Sequence, residues 1–66
     1  PMGLKTILII CSLYNPTMCT FFEDTREIGY TFNDCERRAY EILEQIENTI
    51  PFPYTAQFTC QPEPSI

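Results

Sequence analysis

The sequence predicts a small α+β domain of β-β-α-β order, with one helix packed on a three-stranded antiparallel sheet and two disulfides stapling the layers. Three observations predict it. Four cysteines stand in only 66 residues. A stretch after residue 33 repeats apolar side chains with the 3.6-residue period of a helix. Short apolar or alternating segments flank that stretch on both sides, as strands do. A chain this short buries only about 60% of its unfolded surface. Such a core rarely supplies more than about 3–5 kcal/mol, so staples are commonly needed. Hydrophobic residues make up 44% of the chain, enough for a packed fold over a disordered one.

Pro1 precedes Met2, so Met2 reads as the native start. The domain is expected over 2–61, with a flexible proline-rich tail over 62–66. Thr6 to Leu13 (TILIICSL) is too short to span a bilayer, which takes about 20 apolar residues. It lacks the small-residue cleavage site of a signal peptide, since Asn15, Pro16, Thr17 and Met18 follow. It reads as a buried central strand. Tyr14 to Met18 is a turn built on Asn-Pro. Cys19 to Phe22 is an apolar patch, and Glu23 to Glu27 a charged loop. Ile28 to Phe32 has strand character, although Gly29 points to a bulge or an edge.

The helix begins at a capping signal. Asn33 is expected as the N-cap with Glu36 three residues on, and Asp34 and Glu36 suit the positive end of the helix dipole. Cys35, Ala39, Ile42 and Ile46, with Leu43 and Ile50 more loosely, form the apolar stripe. Arg37, Glu41, Glu44 and Asn48 lie opposite, and Pro51 and Pro53 stop the helix. Tyr54 to Cys60 then alternates Tyr, Ala, Phe and Cys with Thr, Gln and Thr, the pattern of a half-buried strand.

This topology chooses among the three pairings open to four cysteines. Cys35 opens the helix and Cys60 closes the last strand, so both fall at one end of the domain. Cys11 ends the first strand and Cys19 follows the turn, at the other end. Cys11–Cys19 and Cys35–Cys60 are the expected bonds. Each contributes on the order of 2–4 kcal/mol, comparable to the whole core. The cysteine spacings of seven, fifteen and twenty-four residues do not match the close ligand pairs of a zinc site, and Cys-x-x-Cys is missing. No metal and no cofactor is expected.

The residues that would do chemistry are scarce. The chain has no histidine, the commonest general base. Ser12 and Ser65 lack a base to activate them, and two glycines make no phosphate loop. Glu23, Asp24 and Glu27 match no calcium loop. The protein is expected not to be an enzyme. Direct nucleic-acid binding is not expected either, since nine acids face four scattered bases and the net charge is −5.

ILIICSL followed by Cys19, YTFNDCERRAYEIL, and the terminal FTCQP together resemble small proteins of unknown function encoded by bacteriophages, marine ones especially. The likeness spans most of the chain and its motifs mark structure; it implies no catalytic residues. PFPY before the last strand departs from that pattern.

Nine aromatics are more than one helix and three strands easily hide. Tyr30, Phe32 and Phe58 are expected in the core. Phe21, Phe22 and Tyr40, with Glu44 and Glu47, form the candidate interaction surface, since aromatics are enriched at interface hot spots. The expected function is an interaction module binding a protein of the host cell or the virion, as a monomer or weak homodimer. Two alternatives are an acidic decoy for a nucleic-acid-binding host protein and a secreted disulfide-rich inhibitor. Disulfides point to the periplasm, the cell exterior or a virus particle.

Overall fold

The computed structural model describes residues 3–24 and 29–63. Its elements are β1 (Gly3–Ser12), β2 (Cys19–Glu23), α1 (Phe32–Ile46), a 3-10 turn (Glu47–Thr49) and β3 (Tyr54–Glu63). The sheet runs β2-β1-β3 with both pairings antiparallel, and α1 lies across one face. This is the expected α+β fold.

β1 is central because it is apolar on both sides. Leu8 and Ile10 are buried beneath α1, while Ile7 and Ile9 on the open face stay half-buried. The turn after β1 is organised by its own polar side chains. The buried Ser12 hydroxyl accepts from the Tyr14 and Asn15 amides at 3.1 and 3.4 Å. Asn15 Oδ1 accepts from the Thr17 amide at 3.2 Å, and the Met18 amide closes onto the Asn15 carbonyl at 2.9 Å. Pro16 occupies the position whose φ it presets.

The second strand is Cys19–Glu23, not Ile28–Phe32. A short turn returns the chain directly along β1, so this pairing closes a smaller loop than one made nine residues later. The later segment contributes one antiparallel bridge: the Leu4 amide donates to the Gly29 carbonyl at 2.6 Å and the Gly29 amide to Leu4 at 3.1 Å. The charged loop and Ile28 lie largely outside the described residues. Phe32 already belongs to the helix.

The N-cap is Thr31, not Asn33. Its Oγ1 accepts from the Asp34 amide at 3.1 Å, and Asp34 Oδ2 accepts from the Tyr30 amide at 3.3 Å. The first bond satisfies an amide of the opening turn that has no helical carbonyl to pair with, which lowers the cost of starting the helix, and the second ties the chain before the cap back onto that turn. At the other end α1 tightens into the 3-10 turn after Ile46, and Thr49 Oγ1 donates to the Ile46 carbonyl at 2.6 Å.

The core follows the predicted stripe. Cys35, Ala39 and Ile42 are buried with Leu8 and Ile10, and Phe22, Leu43, Ile46, Ile50, Tyr54 and Phe58 pack around them. The sulfurs pair as expected, Cys11–Cys19 with Cα atoms 4.0 Å apart and Cys35–Cys60 with Cα atoms 6.1 Å apart. Beside the second bond the buried Thr6 hydroxyl donates to the Cys35 carbonyl at 3.1 Å. Two expected core aromatics are outside it: Tyr30 and Phe32 are 61% and 58% exposed, because they precede and open the helix instead of lying in a strand. β3 also runs on through Pro62 and Glu63, pairing Glu63 with Gly3, so the ladder enters the segment expected as a tail. Residues 64–66 of that tail lie outside the described residues.

Candidate functional site

Successive residues of a strand face opposite sides of its sheet, and this divides the candidate aromatics. Phe21 stands opposite Ile9 on the open face, where it is 64% exposed. Phe22 stands opposite Leu8 on the helix-covered face and packs half-buried on the core. Tyr40 and Glu44 are exposed on α1 and Glu47 on the 3-10 turn that continues it, with Tyr40 at 64%. The structure therefore joins Tyr40 to Glu44 and Glu47 along the helix and does not join Phe21 to them.

The two flanks of α1 differ in chemistry. Toward β2, Arg38 Nε donates to Asp24 Oδ2 at 2.6 Å and Arg38 Nη1 reaches Glu41 at 3.1 Å, while Arg37 Nη1 meets Glu41 at 2.7 Å. These bonds from Arg38 first and Arg37 second hold the Glu41 carboxyl below its ordinary pKa. A cleft of about 370 Å³ on this side is bordered by Phe22, Asp24, Arg38 and Gln45. It is a polar, ion-paired seam.

Toward β3 the flank is apolar and acidic. A cleft of about 180 Å³ has Leu8 as its floor, Ala39, Tyr40 and Leu43 on the helix side, and Ala56 and Phe58 on the strand side. Phe32 closes one end of this flank against Phe58, with ring centroids 5.7 Å apart. Among the described residues Glu36, Glu44 and Glu47 make no ion pair. Sequence reasoning found Tyr40 and its acids because they leave the apolar stripe. It missed the cleft, which exists because Ala39 and Ala56 are too small to meet across the layers; the signal was two alanines at inward positions of otherwise bulky patterns.

The open face of the sheet carries Ile7, Ile9, Phe21 and the Cys11–Cys19 bond. Lys5 crosses its lower end, 3.6 Å from Glu23 and 3.2 Å from Glu63, so both edge strands are tied electrostatically to the centre. The hydrogen bond to Glu63, ahead of the other contributions, raises the Lys5 pKa.

No protein-family model matches this chain, and no curated protein or solved structure matches it. Among the described residues no helix is long and apolar enough to cross a membrane.

Proposed function

We propose that this domain is a non-catalytic interaction module that binds a protein partner through the β3-side flank of α1, centred on Tyr40 with Glu44 and Glu47. One observation carries the reading: an exposed tyrosine stands at the mouth of an apolar cleft, beside carboxylates that make no ion pair among the described residues. Tyrosine suits such a place because it offers a large rigid contact area with a polar tip. A cleft next to it gives a partner's side chain somewhere to be desolvated, which is where binding energy concentrates. The described serine offers no competing chemistry, since Ser12 is buried and committed to its turn. The disulfide linking helix to sheet keeps the flank rigid in an oxidising setting such as the periplasm, the cell exterior or a virus particle. The resemblance to small phage proteins supports looking for the partner in a bacterial host or in the virion.

The test is affinity capture from bacterial lysate with oxidised protein, comparing wild type, Tyr40→Ala and Phe21→Ala at low and high salt. Capture that survives salt and is lost only in Tyr40→Ala supports this surface. Capture unchanged by Tyr40→Ala refutes it, and capture that collapses with salt in every variant favours the acidic decoy instead.

A further inference from the structure

We propose that the outer edge of β3, unpaired among the described residues, accepts an extended cationic peptide segment as a fourth strand, with the segment's inward side chains filling the cleft beneath Tyr40. The proposal rests on the interaction surface described above and adds the partner's conformation and charge.

The phase of the backbone selects the edge groups. On β1, Leu4 exchanges both its bonds with Gly29, Asp24 donates to the Thr6 carbonyl, and the Ser12 amide donates to Met18. Even-numbered β1 residues thus direct their amide groups toward β2, and odd-numbered ones toward β3. Their β3 partners Thr55, Gln57, Thr59 and Gln61 are committed to β1. Tyr54, Ala56, Phe58 and Cys60 therefore turn their N–H and C=O groups to the outer edge. Pro62, which has no N–H, falls in this outward set and ends it.

Those same residues carry the side chains that face α1. Cys60 is bonded to Cys35, Phe58 touches Phe32, and Ala56 and Phe58 line the cleft. A strand added beside them would bring alternate side chains to the cleft mouth between Tyr40 and Leu43. Its volume of about 180 Å³ exceeds the roughly 150 Å³ of an apolar cavity that takes benzene. Natural edge strands are blunted by lysines, prolines, bulges or inward charges, and here the outward proline, Pro62, stands past the residues that line the cleft. Here residues 48–62 contain no charged side chain, and the β1–β3 register is unbroken.

Charge chooses the occupant. The helix flank above the edge carries Glu36, Tyr40, Leu43 and Glu47 at spacings of four, three and four. Glu36 and Glu47 stand about 17 Å apart at 1.5 Å per residue, a distance spanned by about five extended residues. Arg37 and Arg38 turn the other way, to Glu41 and Asp24. A second copy of this acidic chain would bring its own carboxylates to the same flank, whereas a segment with basic residues around an apolar centre complements it.

The test follows amide exchange by NMR while the probe acetyl-Thr-Arg-Thr-Val-Thr-Leu-Thr-Arg-Thr-amide is added to the oxidised protein. Saturable new protection at Ala56, Phe58 and Cys60, with Thr55, Gln57 and Thr59 already protected in its absence, is the expected result. Glu36→Gln combined with Glu47→Gln weakens binding about threefold to tenfold. Ala56→Pro, which removes an outward N–H and leaves the β1 ladder intact, weakens it by about tenfold or more. Shifts confined to Tyr40 and Glu44 without alternate protection overturn strand addition and leave the interaction surface standing. The same protection on concentrating the protein alone makes a second copy the occupant and overturns the proposal. Absence of any saturable response also overturns it, and the Tyr40→Ala capture experiment then judges the surface separately.

Discussion

Arg38 and Asp24 join the middle of α1 to the end of β2 through a 2.6 Å bond between Nε and Oδ2, at a carboxylate that is 3% exposed. The Asp24 amide donates to the Thr6 carbonyl in the neighbouring strand, so this residue fixes the helix and the sheet edge together. Breaking a buried charge pair by removing one member costs about 3–5 kcal/mol when burial is complete. Arg38 keeps some contact with solvent. We therefore expect Arg38→Ala to lower unfolding free energy by about 2–3 kcal/mol. Arg37→Ala, which breaks the exposed pair with Glu41, should cost under about 1 kcal/mol. Urea denaturation of both variants checks this, and equal losses would contradict the structural account.

The two disulfides should not contribute equally. Cys35–Cys60 closes a sequence separation of 25 and Cys11–Cys19 one of 8. Chain-entropy estimates give about 3.5 and about 2.5 kcal/mol respectively. The first bond alone ties α1 to β3, whereas the second lies within a hairpin that the ladder already closes. The double variant Cys35→Ala/Cys60→Ala should melt well below Cys11→Ala/Cys19→Ala. The reverse order, in calorimetry, would show that the helix is held chiefly by its apolar stripe.

The helix stripe and the disulfide pairing were legible in the sequence because each follows from a strong geometric rule. A 3.6-residue period admits one buried face, and alternating chain direction puts Cys35 with Cys60 and Cys11 with Cys19. β2 was illegible because CTFFE does not alternate in polarity: Phe21 and Phe22 are equally apolar yet face opposite sides. The N-cap was misplaced because Thr31 and Asn33 are both good caps and only the position of the Leu4–Gly29 bridge decides between them. Of the candidate surface, Tyr40, Glu44 and Glu47 could be grouped from helical spacing. The cleft beside them depends on alanines 17 residues apart, a property of packing that no local pattern reports.

The cap assignment is open to a direct comparison. Thr31 Oγ1 accepts from the Asp34 amide, and the Asn33 side chain has no bond among the described residues. Thr31→Ala should cost about 1 kcal/mol of stability and Asn33→Ala a few tenths. Thermal melts of the two variants measure the difference, and a larger loss for Asn33→Ala would move the helix start.

Gly29 is held against that same cap. A Cβ added there would come within 2.5 Å of Asp34 Cβ and 3.4 Å of the Cys35 amide nitrogen, both on the first turn of α1. Neither neighbour is the end of a flexible side chain. Gly29→Ala must therefore push the helix start away from Leu4, lengthening the bridge. We expect the Leu4 and Gly29 amides to lose exchange protection together, with a lowered melting temperature. Unchanged protection at both would show that the first turn of α1 does not bear on Gly29.

The titration shifts set the pH range over which the fold keeps its full stability. The Tyr30 amide, then the Thr31 hydroxyl, hold the Asp34 carboxyl below its ordinary 3.8, and Arg38 and Arg37 hold Glu41 below 4.5. Depressed groups contribute stability that is complete above the ordinary value and is lost as pH falls through the lowered folded one. Lys5 runs the opposite way. Its pKa is raised above 10.5, first by the hydrogen bond to Glu63, so its contribution is complete below that value and is lost as pH rises through the raised one. Urea midpoints should therefore be flat between about pH 5.5 and 9.5 and decline on both sides. All three groups are solvent-facing, so the declines should be shallow and should shrink in high salt. Glu41→Gln should flatten the acid limb and Lys5→Met the alkaline one, each leaving the other limb unchanged. An acid limb as steep in Glu41→Gln and Asp34→Asn as in the wild type would place the sensitive carboxylates elsewhere in the chain.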